Sequence, residues 1–273
     1  MKKILWSLPI LFSANVSLEA LDQVPWYGEV YAFRSDIGFL YSYFHKVNGA
    51  IPNQPYPSNN YVPFVGAGFT LSQDWDLDLD FEMARTPRQN FSPRSLGLQA
   101  RYRFFNDIAG DFITLVSGIN VRGVTPKSVR DISSPYASYL NFELTTSVGK
   151  EKSLNETWTM RGFFGGALGM ATQGYPWARF YSSFELNSGD VHRGGFLCDG
   201  YFGLGGKQYV PVDHFKGWGH IQHDSVDVGV FYRYRLNLWG TFMLSYSCRV
   251  FAHNFPEYEQ RGILRYEIPF SLF

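Results

Sequence analysis

Four acids occupy alternate positions of one short stretch, WDLDLDFEM: Asp76, Asp78, Asp80 and Glu82. The positions between and around them hold Trp75, Leu77, Leu79, Phe81 and Met83. A period of two puts these sets on opposite faces of one strand. Carboxylates stacked at about 7 Å on a single face would repel and raise one another's pKa. The next segment supplies an answer, because Gln99, Arg101 and Arg103 alternate there with Leu98, Ala100, Tyr102 and Phe104. Antiparallel pairing would bring Arg101 and Arg103 opposite the lower part of the ladder and make an ion-pair network.

Further arginines share the polar faces of other segments: Arg122, Arg161, Arg179, Arg193, Arg233, Arg235, Arg249, Arg261 and Arg265. An acidic wall facing a largely basic one could form a constriction with a transverse field that selects charged or polar solutes. The same residues could instead form a salt-bridged plug. Two smaller groupings also carry potential chemistry. His223 and Ser225 share one face of a strand, as a nucleophile and its base must. His214, His220 and His223 cluster in VDHFKGWGHIQHDS, but residues 220 and 223 point apart if extended and no Cys assists them. The fold therefore has to supply strands with one charged face and one apolar face.

Turn and loop signals cut the chain into about twelve such segments, the first from about Glu29 to His45. Each is close to the roughly 9–11 residues that a tilted strand needs to cross a bilayer. Leu96 to Phe104, Leu140 to Val148 and Val226 to Leu236 alternate as cleanly as the acidic ladder. The first segment is ambiguous, since Phe39, Tyr41 and Tyr43 oppose Leu40 and Phe44. Short connections such as Ser72-Gln73-Asp74 and Asn187-Ser188-Gly189-Asp190 contrast with mostly longer, Pro-rich loops. Thr172–Gly174 is shorter and Gly149–Glu156 longer than that alternation expects.

The chain carries 24 Lys+Arg against 24 Asp+Glu, which gives a nucleic-acid partner no basic field to bind. Lys2 and Lys3 precede the apolar run Ile4 to Phe12, and Leu18-Glu19-Ala20 offers a cleavage site. Residues 1–20 thus read as an export signal and 21–273 as one β domain. Cys198 and Cys248 fall on apolar faces with a whole strand between them, about 10 Å apart, so no disulfide is expected.

Alternation alone does not say which face is inside. The lysines after residue 20 (Lys46, Lys127, Lys150, Lys152, Lys207, Lys216) lie in or beside connections, whereas most arginines lie on strand faces. Arg holds fixed multidentate hydrogen bonds in tight space, so this division suggests a packed polar interior. The last stretch, YEQRGILRYEIPFSLF, has Leu264, Tyr266, Ile268, Phe270 and Leu272 on one face and Arg261, Arg265 and Glu267 on the other.

Together these features resemble the outer-membrane β-barrel proteins of Gram-negative bacteria, over residues from about 29 to 273. The resemblance implies an all-β fold: a transmembrane antiparallel up-and-down barrel of about twelve strands in the bacterial outer membrane. Its partners would be membrane lipid and lipopolysaccharide, the barrel-assembly machinery through the C-terminal strand, and small polar solutes, with no cofactor. Phe273 sits one residue out of parity with the usual terminal signal, and a bulge near Pro269 would absorb the shift. Trp75, Trp158 and Trp239, near the short turns, suit an interfacial girdle.

The expected function is passive diffusion of small polar or charged solutes through the lumen, tuned by Arg101, Arg103, Asp78, Asp80, Arg233 and Arg235. An alternative is a lipid-modifying barrel enzyme, because His223 and Ser225 reproduce the His-x-Ser spacing of the outer-membrane phospholipases. That family's pair faces lipid and has an orienting Asn, whereas this pair faces the charged side. A third reading is a non-conducting surface antigen or adhesin.

Overall fold

The alternating segments form twelve antiparallel strands, each hydrogen-bonded to its sequence neighbours. The computed structural model describes residues 23–271. The expected export signal at 1–20, Leu272, Phe273 and the side chain of Phe270 lie outside the described residues. The first six strands are β1 (Ala32–Phe44), β2 (Ser58–Thr70), β3 (Trp75–Ala84), β4 (Ser92–Phe105), β5 (Thr114–Val124) and β6 (Leu140–Ser153). The second six are β7 (Trp158–Ala171), β8 (Trp177–Ser188), β9 (His192–Leu204), β10 (Gln222–Arg235), β11 (Thr241–His253) and β12 (Gln260–Ser271). Strand β12 pairs with β11 on one side and with β1 on the other, which closes the barrel. Closure leaves no unpaired edge, the condition for strands to cross a bilayer. No described helix is long and apolar enough to cross one.

The connections segregate by end. Residues 71–74, 106–113, 154–157, 189–191 and 236–240 form one end, and the longer loops 45–57, 85–91, 125–139, 205–221 and 254–259 the other, with 172–176 among them. At the tightest turn Gly189 (φ +59°) and Asp190 (φ +57°) are both left-handed, which matches the right-handed twist of a hairpin. Strand β6 runs on to Ser153 rather than ending near Val148, so its connection to β7 is a short turn like its siblings.

The faces divide as the sequence implies, with the charged side inward. Leu168 (69% exposed), Met170 (64%) and Phe196 (58%) stand on the outer surface, while Asp76, Asp80, Arg101 and Arg122 are buried. A soluble protein rarely exposes an apolar belt of this extent, whereas a bilayer is the solvent that suits it. Trp75, Trp158 and Trp239 are exposed at the short-turn end. Leu264 and Ile268 face outward and Arg261 inward on β12. Pairing of β1 with β12 runs from Tyr43↔Gln260 to Ala32↔Ser271 with no register shift, so the expected bulge near Pro269 is absent. The ambiguous first strand resolves once it is paired: Asp36, Leu40, Ser42 and Phe44 are buried, and Ile37, Phe39 and Tyr41 are exposed. Cys198 and Cys248 are both free, with Val228 between them in the register.

Candidate functional site

The interior is built in three levels. At the long-loop end a single apolar cluster joins Phe44, Tyr56, Ile132, Trp177, Tyr201, Val210, Phe215, Trp218, Ile221 and Phe255. These residues come from strands and loops all round the barrel, so their mutual contact spans the mouth as a cap. Trp218 is its centre, with 0% exposure, ring centroids 4.3 Å from Phe255 and 4.9 Å from Phe215, and an indole N–H donated to the Ser134 carbonyl at 2.8 Å. The sequence signal was the apolar content of loop 205–221, since a loop that faces water has little use for Phe215, Trp218 and Ile221 together.

Below the cap lies the ion-paired level. Asp76 accepts hydrogen bonds from Arg34 at 2.9 Å and Arg101 at 2.5 Å, and Asp78 from the same two at 2.7 and 3.1 Å. Asp80 takes a bidentate pair from Arg122 at 2.7 and 2.9 Å. Glu82 accepts from the Tyr136 hydroxyl at 2.7 Å and Ser95 at 3.0 Å, with Arg94 at 3.5 Å. Glycines open the room for these pairs: a Cβ at Gly97 would lie 2.1 Å from Asp80, and one at Gly68 2.6 Å from Arg34 and Asp78. Across the lumen Asp227 binds Arg249 at 2.7 Å and Arg261 at 2.6 Å, and Glu259 completes that cluster. Glu143 holds Arg179 at 3.4 Å and accepts the Trp177 indole N–H at 2.8 Å. Asp36 pairs with Arg265 at 2.9 Å, and Glu151 with Arg161. An interior void of about 20 Å³ beside Glu143, Arg122 and Tyr201 has room for about one water molecule.

This arrangement corrects the expectation of one acidic wall opposite a basic one. The ladder draws cations from both sides, Arg34 on β1 and Arg101 and Arg122 on β4 and β5, and is locally neutralised. The opposite side has its own acids in Asp227 and Glu259, and Glu143 stands between the two walls. Arg103 does not join the ladder; it donates to the Gln73 carbonyl and lies 4.9 Å from the Tyr27 ring. Sequence reading missed Arg34, because the parity of the first segment was unresolved.

The third level, at the short-turn end, combines the N-terminal residues with a basic cavity. Pro25 is buried, Val24 offers its carbonyl to Arg101 at 2.9 Å, and Trp26 packs edge-on to Phe163 at 6.1 Å. Residues 23–27 therefore cross the interior from β4 to β7. The Trp26 indole N–H is donated to Asp107 at 2.9 Å. Burial pushes the Asp107 carboxyl up, but the Thr114 hydroxyl, the Glu151 amide, the Trp26 indole and the Lys150 charge outweigh it and hold it below the usual carboxylate range. A depressed carboxylate contributes stability that is complete above its unfolded pKa, near 4, and is lost as pH falls through the lower folded value. Trp26 is thus expected to loosen only below about pH 4, read as a rise in acrylamide quenching of its fluorescence in a variant whose other exposed tryptophans are Phe. Asp107→Asn should abolish that acid transition; an unchanged one would refute the tether.

Beside this strap Arg193, Arg233, Arg235 and Arg265 line a cavity of about 280 Å³.

The enzymatic grouping is not assembled. His223 is buried, its Nδ1 is 2.9 Å from the Ile221 carbonyl, and its Nε2 has no partner. The rings of Tyr201, Trp218 and Phe255 surround it at 4.7, 5.2 and 5.0 Å. Ser225 is buried on the same face, and no hydrogen bond of the kind a nucleophile and base require joins the two. The site lies beneath the cap, away from lipid. Among the described residues no three His, Cys, Asp or Glu side chains gather as a metal site, so His214, His220 and His223 remain separate.

The architecture matches that of an outer membrane channel from Pseudomonas putida F1 at a TM-score of 0.62 and 11% identity, covering 92% of this chain and 100% of that one. This chain has the outer-membrane β-barrel fold. The NanC porin matches at a TM-score of 0.53 and 9% identity, over 86% of this chain and 98% of that one. No protein-family model and no curated protein matches the sequence. Within this outer-membrane barrel the lumen levels described above are the candidate functional site.

Proposed function

We propose that this barrel is a bacterial outer-membrane channel for small polar or charged solutes, exported by residues 1–20 and closed at its loop end in the conformation described. The observation that carries the reading is the hydrophilic interior: a closed wall that places Asp76, Arg101, Asp80 and Arg122 inside and apolar residues outside. The cap is built from loops and strand ends, so it can be displaced without breaking the barrel ladder. Arg101, Asp78 and Asp80 are engaged with one another or their neighbours, which leaves selectivity to Arg103, Arg233 and Arg235 at the short-turn end.

The packed cap also favours a second reading, a non-conducting surface barrel whose loops do the work. Planar-bilayer recording of the refolded full chain separates the two. The channel reading expects discrete conductance steps that are rare in the parent and frequent once the cap is loosened. Absence of steps at every salt concentration, with the cap intact or loosened, would sink it.

A further inference from the structure

The arginines of the ion-paired level each touch a carboxylate, whereas two of the four at the short-turn end, Arg233 and Arg235, do not among the described residues. Arg193 on β9 and Arg233 on β10 stand directly opposite in the register. Met243 on β11 continues that row to Arg265 on β12. One step nearer the short-turn rim, Arg235 faces Thr241, which faces Glu267. All seven side chains project into the same cavity of about 280 Å³, bounded on the strap side by Gly28. That volume is near the low end for small-molecule sites, which run from about 300 Å³ upward.

The charge balance of this cavity is one-sided. Arg265 is shared with Asp36, and Glu267 supplies the one carboxylate of the lining. Arg193 reaches Asp190 at 3.9 Å, a residue largely exposed to solvent, and lies within electrostatic range of Glu185 but also of Arg161 and Arg233. Among the described residues no ion pair is made by Arg233 or Arg235, and the Arg233 Nε is buried without a hydrogen-bond partner. Like charges directly opposite across a ladder destabilise it. An oxyanion between them would relieve that repulsion and accept the forked N–H donors that guanidinium groups present.

We infer that this cavity is an anion-binding site for a small solute carrying a carboxylate or phosphate group. The inference rests on the channel reading for its role, as a ring of arginines that draws anions toward the lumen, but the binding itself requires no conduction.

The test uses the full refolded chain in detergent, with calorimetric titration by inorganic phosphate and by succinate. Saturable binding of either is expected, with Arg193→Gln/Arg233→Gln weakening it by at least about tenfold. Arg235→Gln, an exposed position, serves as a second variant that does not threaten folding and should weaken binding severalfold. Lys152→Gln, which removes an exposed charge from the same end, should leave it unchanged. Phosphate binding without succinate binding assigns a phosphate ligand, and the converse a carboxylate. Absence of saturable binding by either anion, or equal loss in Lys152→Gln, would overturn the site. Binding in a protein that never conducts would retain the site and remove the channel reading, whereas conduction with no saturable binding would do the reverse.

Discussion

Asp76→Ala is expected to destabilise the barrel by about 3–5 kcal/mol, the range for removing one partner of a buried ion pair. Asp76 has 0% exposure and accepts from the Thr70 hydroxyl at 2.8 Å as well as from Arg34 and Arg101. Its loss would leave two interior guanidinium groups sharing Asp78. The penalty is chiefly that of stranded charge, so Arg34→Gln introduced into the same variant should recover part of it. Urea unfolding of the barrel in micelles, followed by the shift between folded and unfolded bands on a gel, measures both. A loss under about 1 kcal/mol would mean that water reaches the ladder and that the ion-paired level is not the packed layer described. Recovery by the second substitution separates charge balance from packing, because removing another side chain from a merely packed layer would add damage.

Trp218→Ala should act on conduction more than on stability. Truncating a buried Trp to Ala costs about 3–5 kcal/mol, and here that loss falls on the cap, where Trp218 contacts Phe215, Phe255 and His223. If cap closure and the barrel ladder are separate equilibria, the open population rises by about tenfold for every 1.4 kcal/mol. An increase of about a hundredfold or more in channel open probability is expected, read as the frequency of single-channel openings, while the unfolding midpoint of the barrel moves little. Steps as infrequent as in the parent would show that the cap is not the barrier. A collapse of barrel stability would show that cap and wall are one cooperative unit.

These two predictions draw on different kinds of legibility. The ladder was visible in the sequence as four acids at a spacing of two, with Arg101 as a partner, because side-chain direction along a strand follows from backbone geometry alone. Arg34 was not, since its strand has apolar residues in both parity sets and only pairing with β2 and β12 decides its faces. The surplus of charge was also misplaced. Parity correctly set Arg249 and Arg261 inside, but their neutralisation depends on Glu259, which lies in the connection before β12 and turns inward. His223 and Ser225 show the same limit: a shared face was readable, whereas the aromatic enclosure of His223 and the missing bond between the pair depend on loop 205–221 and Phe255 folding over them.

By itself the sequence determined that the chain forms about twelve strands, where most of them turn, and which residues share each face. Those properties follow from a period of two and from turn chemistry within a few residues. Only the tertiary structure decided which cation meets which acid, that the loop end is capped, that residues 23–27 cross the lumen, and that Arg233 and Arg235 meet Arg193 and Arg265 in one cavity at the short-turn end. These outcomes depend on barrel closure, which brings Asp36 to Arg265 across 229 residues, and on loops returning into the lumen. Local periodicity carries no information about contacts at that separation.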